Sequence, residues 1–392
     1  MTYLDYALVL IAALLFGVML LPVLRRNAYW RATVTPLASI IGSGFLVVAP
    51  LLADVAGPYG LAAMVGIVVV AYVTGWAIRF NIAHSESGTA GTRLGRVSNL
   101  ALTMAYVISV AFYIRLLASF ALSMTPFESA FIGDLLASAV LILIGGVGFL
   151  RGLQGLETLE TVSVSLKLSI IVALLVGLFT YNASQGQWTA DLTAAEMDGW
   201  TRFRMMAGML LVVQGFETSR YLGEAYSAGT RIRTMRLAQI LSGMIYAAFI
   251  FLVLPLMDFL PDGKISETAI IDVSANVAWV LPIMLVIAAF MSQLSAAIAD
   301  TVGAGGLVGE ETGGKVAARL TYPALAAAAI ALIWSFDLFQ VVSIASRAFA
   351  FYYMTQALIA FRQPQGGFYR RLGFLMVALG MGVVVLVAIP VG

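Results

Sequence analysis

The sequence predicts an all-α integral membrane protein of about twelve transmembrane helices, two of them interrupted midway. Three observations predict it. Of 392 residues, 61% are apolar and 11% charged, and mean hydropathy is +0.98, whereas soluble domains carry about 25% charged residues. The apolar residues fall into runs of about 20, the length a helix needs to cross a bilayer core of about 30 Å. Polar, glycine-containing steps, Gly42-Ser43-Gly44 and Gln214-Gly215-Phe216-Glu217, interrupt two of those runs.

By that ruler the helices lie near 4–24, 33–56, 59–80, 97–122, 130–150, 155–180, 201–226, 236–260, 271–300, 317–335, 338–361 and 371–391. The first is a retained helix and not a signal peptide, because no Lys or Arg precedes it and Arg25 and Arg26 follow it. Basic residues then mark alternate loops: Arg25, Arg26 and Arg31; Arg79, Arg93 and Arg96; Arg151; Arg231, Arg233 and Arg236; Lys315 and Arg319; Arg362, Arg370 and Arg371. Under the positive-inside rule these loops are cytoplasmic, which places both termini outside a cell (inner) membrane. Arg202 and Arg204, at the outer start of their helix, are exceptions.

The same composition excludes several functions. With no cysteine and a single histidine, His84, the chain has neither a disulfide nor the residues for a thiolate or histidine metal site, and no cofactor is expected. His84 precedes Ser85-Glu86-Ser87-Gly88 and fits a solvated loop. A net charge of +2 makes nucleic acid no natural partner. There is no phosphate-binding G-x-x-x-x-G-K-[ST] motif to drive a pump, no clustered intramembrane catalytic set for an enzyme, and no repeated filter or continuous polar helix face for a channel. A secondary transporter, or a sensor descended from one, is the class left.

Glycine in a helix costs about 1 kcal/mol relative to alanine, and non-helical backbone survives in a membrane only inside protein or along a cavity. On spacing alone, Gly42 and Gly44 fit a break or a close helix contact equally well. The second step adds a carboxylate, Glu217, and an ionisable group at that depth is costly and functional by default. Five helices counted from each break give segments 33–180 and 201–361, separated by an external loop, 181–200, and flanked by a helix and loop in 1–32 and a helix in 362–392. An odd number of crossings inverts the second segment. Paired interruptions in inverted halves point to a midplane substrate site.

At these residues the chain resembles the amino acid-polyamine-organocation (APC) superfamily, whose fold is the five-plus-five inverted repeat of the leucine transporter. Ile41-Gly42-Ser43-Gly44-Phe45, then Pro50 and Ala56-Gly57-Pro58, is similar to the family's first core helix. Gly152-Leu153-Gln154-Gly155 and Thr161 through Leu168 are similar to the fifth, and Gly215-Phe216-Glu217 with Gly223-Glu224 to the sixth. The chain departs from the family at Tyr226-Ser227-Ala228-Gly229, which lacks a proline, and at Leu211, where amino acid carriers often have an aromatic gate.

The resemblance implies that Gly42, Ser43 and Gly44 present amides, and the Ser43 hydroxyl, to a substrate carboxylate or other small anion, while Gln214, Gly215 and Phe216 supply carbonyls and an apolar wall. It also implies an ion site at Lys167, about 18 Å into its helix. In sodium-independent members such a lysine fills the sodium cavity, here formed by carbonyls from Ala38 to Ile41 with Ser292 and Ser295. Because desolvation disfavours a charged lysine, the expected coupling ion is the proton, with sodium or no ion as alternatives. A fixed structural ammonium reaching Glu160 is the competing reading. Glu217 is a proton carrier, a gate or an acceptor for the frayed amides of the break. Arg347, about nine residues into its helix, needs a partner, and a gating pair with Glu217 is one choice. Arg115 fits an interfacial position. The expected substrate is a small organic solute, an amino acid or an amine.

Overall fold

The computed structural model describes residues 2–42, 44–84, 92–152, 157–190, 192, 196–223, 225–259, 266, 268–365 and 367–391, without the side chains of 157–161, 211, 258, 259 and 318. Ser43, Leu153-Gln154-Gly155 and Glu224, and the side chains of Glu160 and Leu211, lie outside the described residues.

The described residues are helical, with no strand. Helix α1 (Tyr3–Leu20) begins in a capping box, Thr2 with Asp5, and ends at Leu21, before a one-turn α2 (Pro22–Arg25) with proline at its first position. Asn27 caps α3 (Ala28–Ile40), and α4 (Gly44–Ala56) follows after the first interruption. A Gly57–Tyr59 3₁₀ turn leads to α5 (Gly60–His84). Thr92 caps α6 (Arg93–Leu122) and Ser129 caps α7 (Ala130–Arg151), each accepting a hydrogen bond from the first turn. Then comes α8 (Glu157–Gln185).

The second half starts with α9 (Gly199–Gly208), where the Asp198 carboxylate accepts from Trp200 N and Thr201 N and from the Thr201 hydroxyl. These bonds hold Asp198 below the ordinary carboxylate range. Short 3₁₀ segments, Leu210–Val213 and Phe216–Leu222, lead to α10 (Ala228–Val253). Next are α11 (Ala269–Val277), α12 (Leu281–Glu311), α13 (Ala318–Ser335), α14 (Leu338–Arg362) and α15 (Phe368–Val387).

One expected helix is corrected. The run 271–300 is not continuous, because Ala278 is extended and Pro282 opens a new helix. A proline there has no N–H and its ring would collide with the carbonyl four residues back. In exchange α12 continues to Glu311, a full three turns past the expected end. Eight stretches among the described residues are long and apolar enough to cross a membrane, one of them covering α4 and α5 together, with a shorter apolar helix at Arg319–Ser335.

At the centre, α6 packs along α12 and α14; α3 lies against α10, α7 against α13, and α1 against α8. Leu102, Val110, Phe112, Leu117 and Phe120 of α6 are buried, whereas α1 leaves Leu10, Leu14 and Val18 exposed on a flank that faces lipid in a bilayer. Arg115 makes an ion pair with Asp134 of α7 at 3.0 Å and donates to Ile333 O and Phe336 O at the end of α13.

Candidate functional site

Both interrupted helices are broken where the sequence places polar glycine steps. In the first, α3 ends at Ile40, Ile41 leaves helical geometry at φ −84° and ψ 58°, and helix resumes at Gly44. In the second, Gly208 ends α9, and Gly215 takes φ 116°, a backbone that L side chains rarely adopt.

The two breaks touch. A Cβ added to Gly44 would stand 2.5 Å from Val212 Cα, and one added to Gly215 would collide with Ser39. Glycine therefore serves close approach as well as backbone freedom at these positions. Tyr246 of α10 joins them from the side, its hydroxyl lying 3.0 Å from Ile40 O and in hydrogen-bond contact with Val212 O. These carbonyls lie where the helical ladders stop, and such groups need partners when buried. Beside Tyr246 is a cavity of ≈ 10 Å³, about the size of one water, bounded by Ile40, Tyr72, Val213, Gln239 and Ser242. Tyr246→Phe keeps the ring contact with Phe45 (centroids 5.3 Å apart) but removes the donor, so it is expected to cost about 1–3 kcal/mol, seen as a lower Tm in detergent.

Lys167 of α8 is 4% exposed. Its ammonium donates to Ala38 O at 2.8 Å and to Ser292 Oγ of α12 at 3.2 Å. The acceptor near the end of α3 lies where the helix carries partial negative charge, which suits a cation. Of the neighbours named with Lys167, Ile41 spends its amide on Leu37 O, and the Ser295 hydroxyl donates back to Ser292 O at 3.0 Å. The side chain of Glu160 lies outside the described residues.

Glu217 is fully buried. Its Oε2 accepts from Gly215 N at 2.9 Å and from the Tyr353 hydroxyl at 2.8 Å, so the carboxylate satisfies an amide freed by the break. Phe216 stacks on Tyr353, with centroids 5.0 Å apart. Gln214 donates through Nε2 to the Tyr113 hydroxyl of α6 at 2.8 Å.

The gating pair of Arg347 with Glu217 is not made. Arg347 donates to Ala388 O, by Nε at 2.8 Å and also by Nη2, and Arg204 Nε donates to the adjacent Val387 O at 3.0 Å. Both arginines cap the C-terminal carbonyls of α15, a natural place for cations. Tyr353, which Glu217 does meet, is six residues further along α14 and about two-thirds of a turn round it from Arg347.

Sequence reasoning missed Tyr246, Tyr113, Tyr353 and Asp300. Tyrosines in apolar helices carry no positional signal, but Asp300 did. Thr301 through Val308 contain no charge, a sign that the helix runs on and that Asp300 is interior.

The chain matches the family model for APC superfamily transporters over residues 22–388. It is 43% identical over 370 residues to an uncharacterized protein of Aquifex aeolicus (strain VF5), covering 92% of this chain and 90% of that protein. Among solved structures it is similar to a mutant of the manganese transporter of Eremococcus coleocola, with TM-score 0.59 and 11% identity over 93% of this chain and 86% of the other. At that identity the likeness concerns the fold, the leucine-transporter fold with broken first and sixth core helices. The chain belongs to the APC superfamily of transporters.

Proposed function

We propose that this protein is a proton-coupled secondary transporter of a small organic solute, an amino acid or an amine, working by alternating access around a midplane site between the two breaks. The observation that carries the reading is the Lys167 bridge from Ala38 O on the first half-helix to Ser292 on α12. An ammonium there ties a mobile half-helix to its scaffold, and loss of the proton unties it. Gly42, Ser43 and Gly44 then offer amides to an anionic group, while Gln214, Gly215 and Phe216 line the opposite wall. Glu217 holds the second break in shape through Gly215 N.

The two five-helix repeats, 33–180 and 201–361, twelve crossings and external termini complete the proposal, supported by the alternation of basic loops. Amino acids, amines, nucleobases and Mn²⁺ are to be screened by thermal shift on purified protein, with pH-jump uptake into proteoliposomes for each hit. A ligand that stabilises the protein and accumulates with an inward proton gradient is the expected result. Accumulation indifferent to pH but dependent on sodium overturns proton coupling, and binding without uptake or counterflow overturns transport in favour of a sensor.

A further inference from the structure

Asp300 is a buried carboxylate that the transport reading leaves unused. It is 5% exposed and lies on α12 eight residues beyond Ser292, about 12 Å along the helix. Gly303, one turn on, lets α6 come close: a Cβ there would stand 3.0 Å from the Tyr106 ring. That approach puts Ser109 Oγ in hydrogen-bond contact with Asp300 Oδ2, and the same Oγ is 3.0 Å from Tyr106 O.

A serine hydroxyl has one hydrogen and can also accept. With Asp300 ionised, Ser109 donates to the carboxylate. With Asp300 protonated, Oδ2 donates to Ser109 Oγ and the hydroxyl turns to Tyr106 O. Both protonation states are thus hydrogen-bonded without any movement of the helices. Tyr113, one helical turn beyond Ser109 on α6, accepts from Gln214 at the second break. The Ser109–Asp300 pair and the Tyr113–Gln214 pair are therefore neighbours along one face of α6.

A second observation points to a ligand at this cluster. Gln214 Oε1 and Glu217 Oε1 are buried acceptors with no hydrogen-bond partner among the described residues, on side chains 3% and 0% exposed. Glu217 lies within electrostatic reach of Asp300, Tyr106 and Tyr113. Each of the two oxygens is a buried acceptor without a donor among the described residues.

We propose that Asp300 is a proton-binding site of this carrier, its two protonation states held in turn by Ser109. In loading, a hydronium gives a proton to Asp300 Oδ2 and leaves as water, while the Ser109 hydroxyl turns from the carboxylate to Tyr106 O. One O–H bond forms at Asp300, one breaks in the hydronium, and Ser109 keeps its own hydrogen. The ionisable groups facing Asp300 are Tyr106 and Tyr113 of α6 and Glu217 of the second break. Lys167 of α8 is held at Ser292, two turns back along α12.

Infrared pH titration of the full chain in detergent, across about pH 4 to 9, reads the C=O stretch of protonated carboxyls and needs no transport substrate. It therefore stands or falls apart from uptake. The expected result is a buried-carboxyl band absent from Asp300→Asn, and shifted in midpoint by about one pH unit in Ser109→Ala, which keeps the carboxylate and settles the matter should the asparagine variant fail to fold. An unchanged set of titrating bands in Asp300→Asn, an unmoved midpoint in Ser109→Ala, or a band that responds to NaCl at fixed pH overturns the proposal.

Discussion

Replacing Lys167 with methionine is expected to abolish accumulation driven by a pH gradient while leaving folded protein in the membrane. Methionine fills similar apolar space but donates nothing, so Ala38 O and Ser292 Oγ lose their shared donor, a cost of about 1–3 kcal/mol for each acceptor left buried and unpaired. The protein survives that loss with a lower Tm; the coupling does not. Lys167→Arg separates the two roles of the ammonium. A guanidinium keeps the charge but does not give up its proton. If the charge alone matters, the arginine variant retains pH-driven uptake; if the proton moves, the arginine variant loses it. Full pH-driven accumulation by the methionine variant would sink the coupling role of Lys167.

Gly215→Ala is expected to be strongly damaging for a change of one methyl group. At φ 116° an L residue sits outside even the left-handed helical basin, at a cost of order 1–3 kcal/mol, and the new methyl would also collide with Ser39. Ser39→Ala does not rescue it, because the Ser39 carbonyl carbon and Cβ, each 2.6 Å from the added atom, remain in place. Gly146→Ala supplies the control: nothing stands within 4 Å of its added Cβ and its backbone is ordinary helix, so alanine there is neutral or slightly stabilising. Thermal unfolding in detergent and uptake at the same expression level measure both. Equal Tm values for the two variants would contradict the close packing of the breaks.

Helices and breaks were legible because they rest on local rules. An apolar run of about 20 residues has few alternatives in a bilayer, and polar glycine steps such as Gly42-Ser43-Gly44 and Gln214-Gly215-Phe216-Glu217 are costly unless they are used. The run 271–300 was misread because a window of hydropathy averages over Pro282, whereas the backbone must obey its missing N–H at one residue. That error hid Asp300 by placing it at a helix end. Arg347 and Tyr246 illustrate a different limit. Their partners, Ala388 O and the pair Ile40 O and Val212 O, are backbone atoms, and every residue has a carbonyl, so no pattern of residue types identifies them. Lys167 was legible because the family resemblance names its cavity, and the ammonium does reach Ala38 O and Ser292 Oγ.

The Asp5 carboxylate, which accepts from Val280 N across 275 residues of chain, has a consequence for assembly. During synthesis α1 enters the bilayer long before the start of α12 exists. Until then Asp5 needs water, since a carboxylate deep in lipid costs several kcal/mol, and α1 must float with its first turn at the headgroups. Arrival of Val280 converts that tether into a latch. Helix α1 can thus lie along α8 as soon as α8 is made, but its first turn is fixed only when α12 begins.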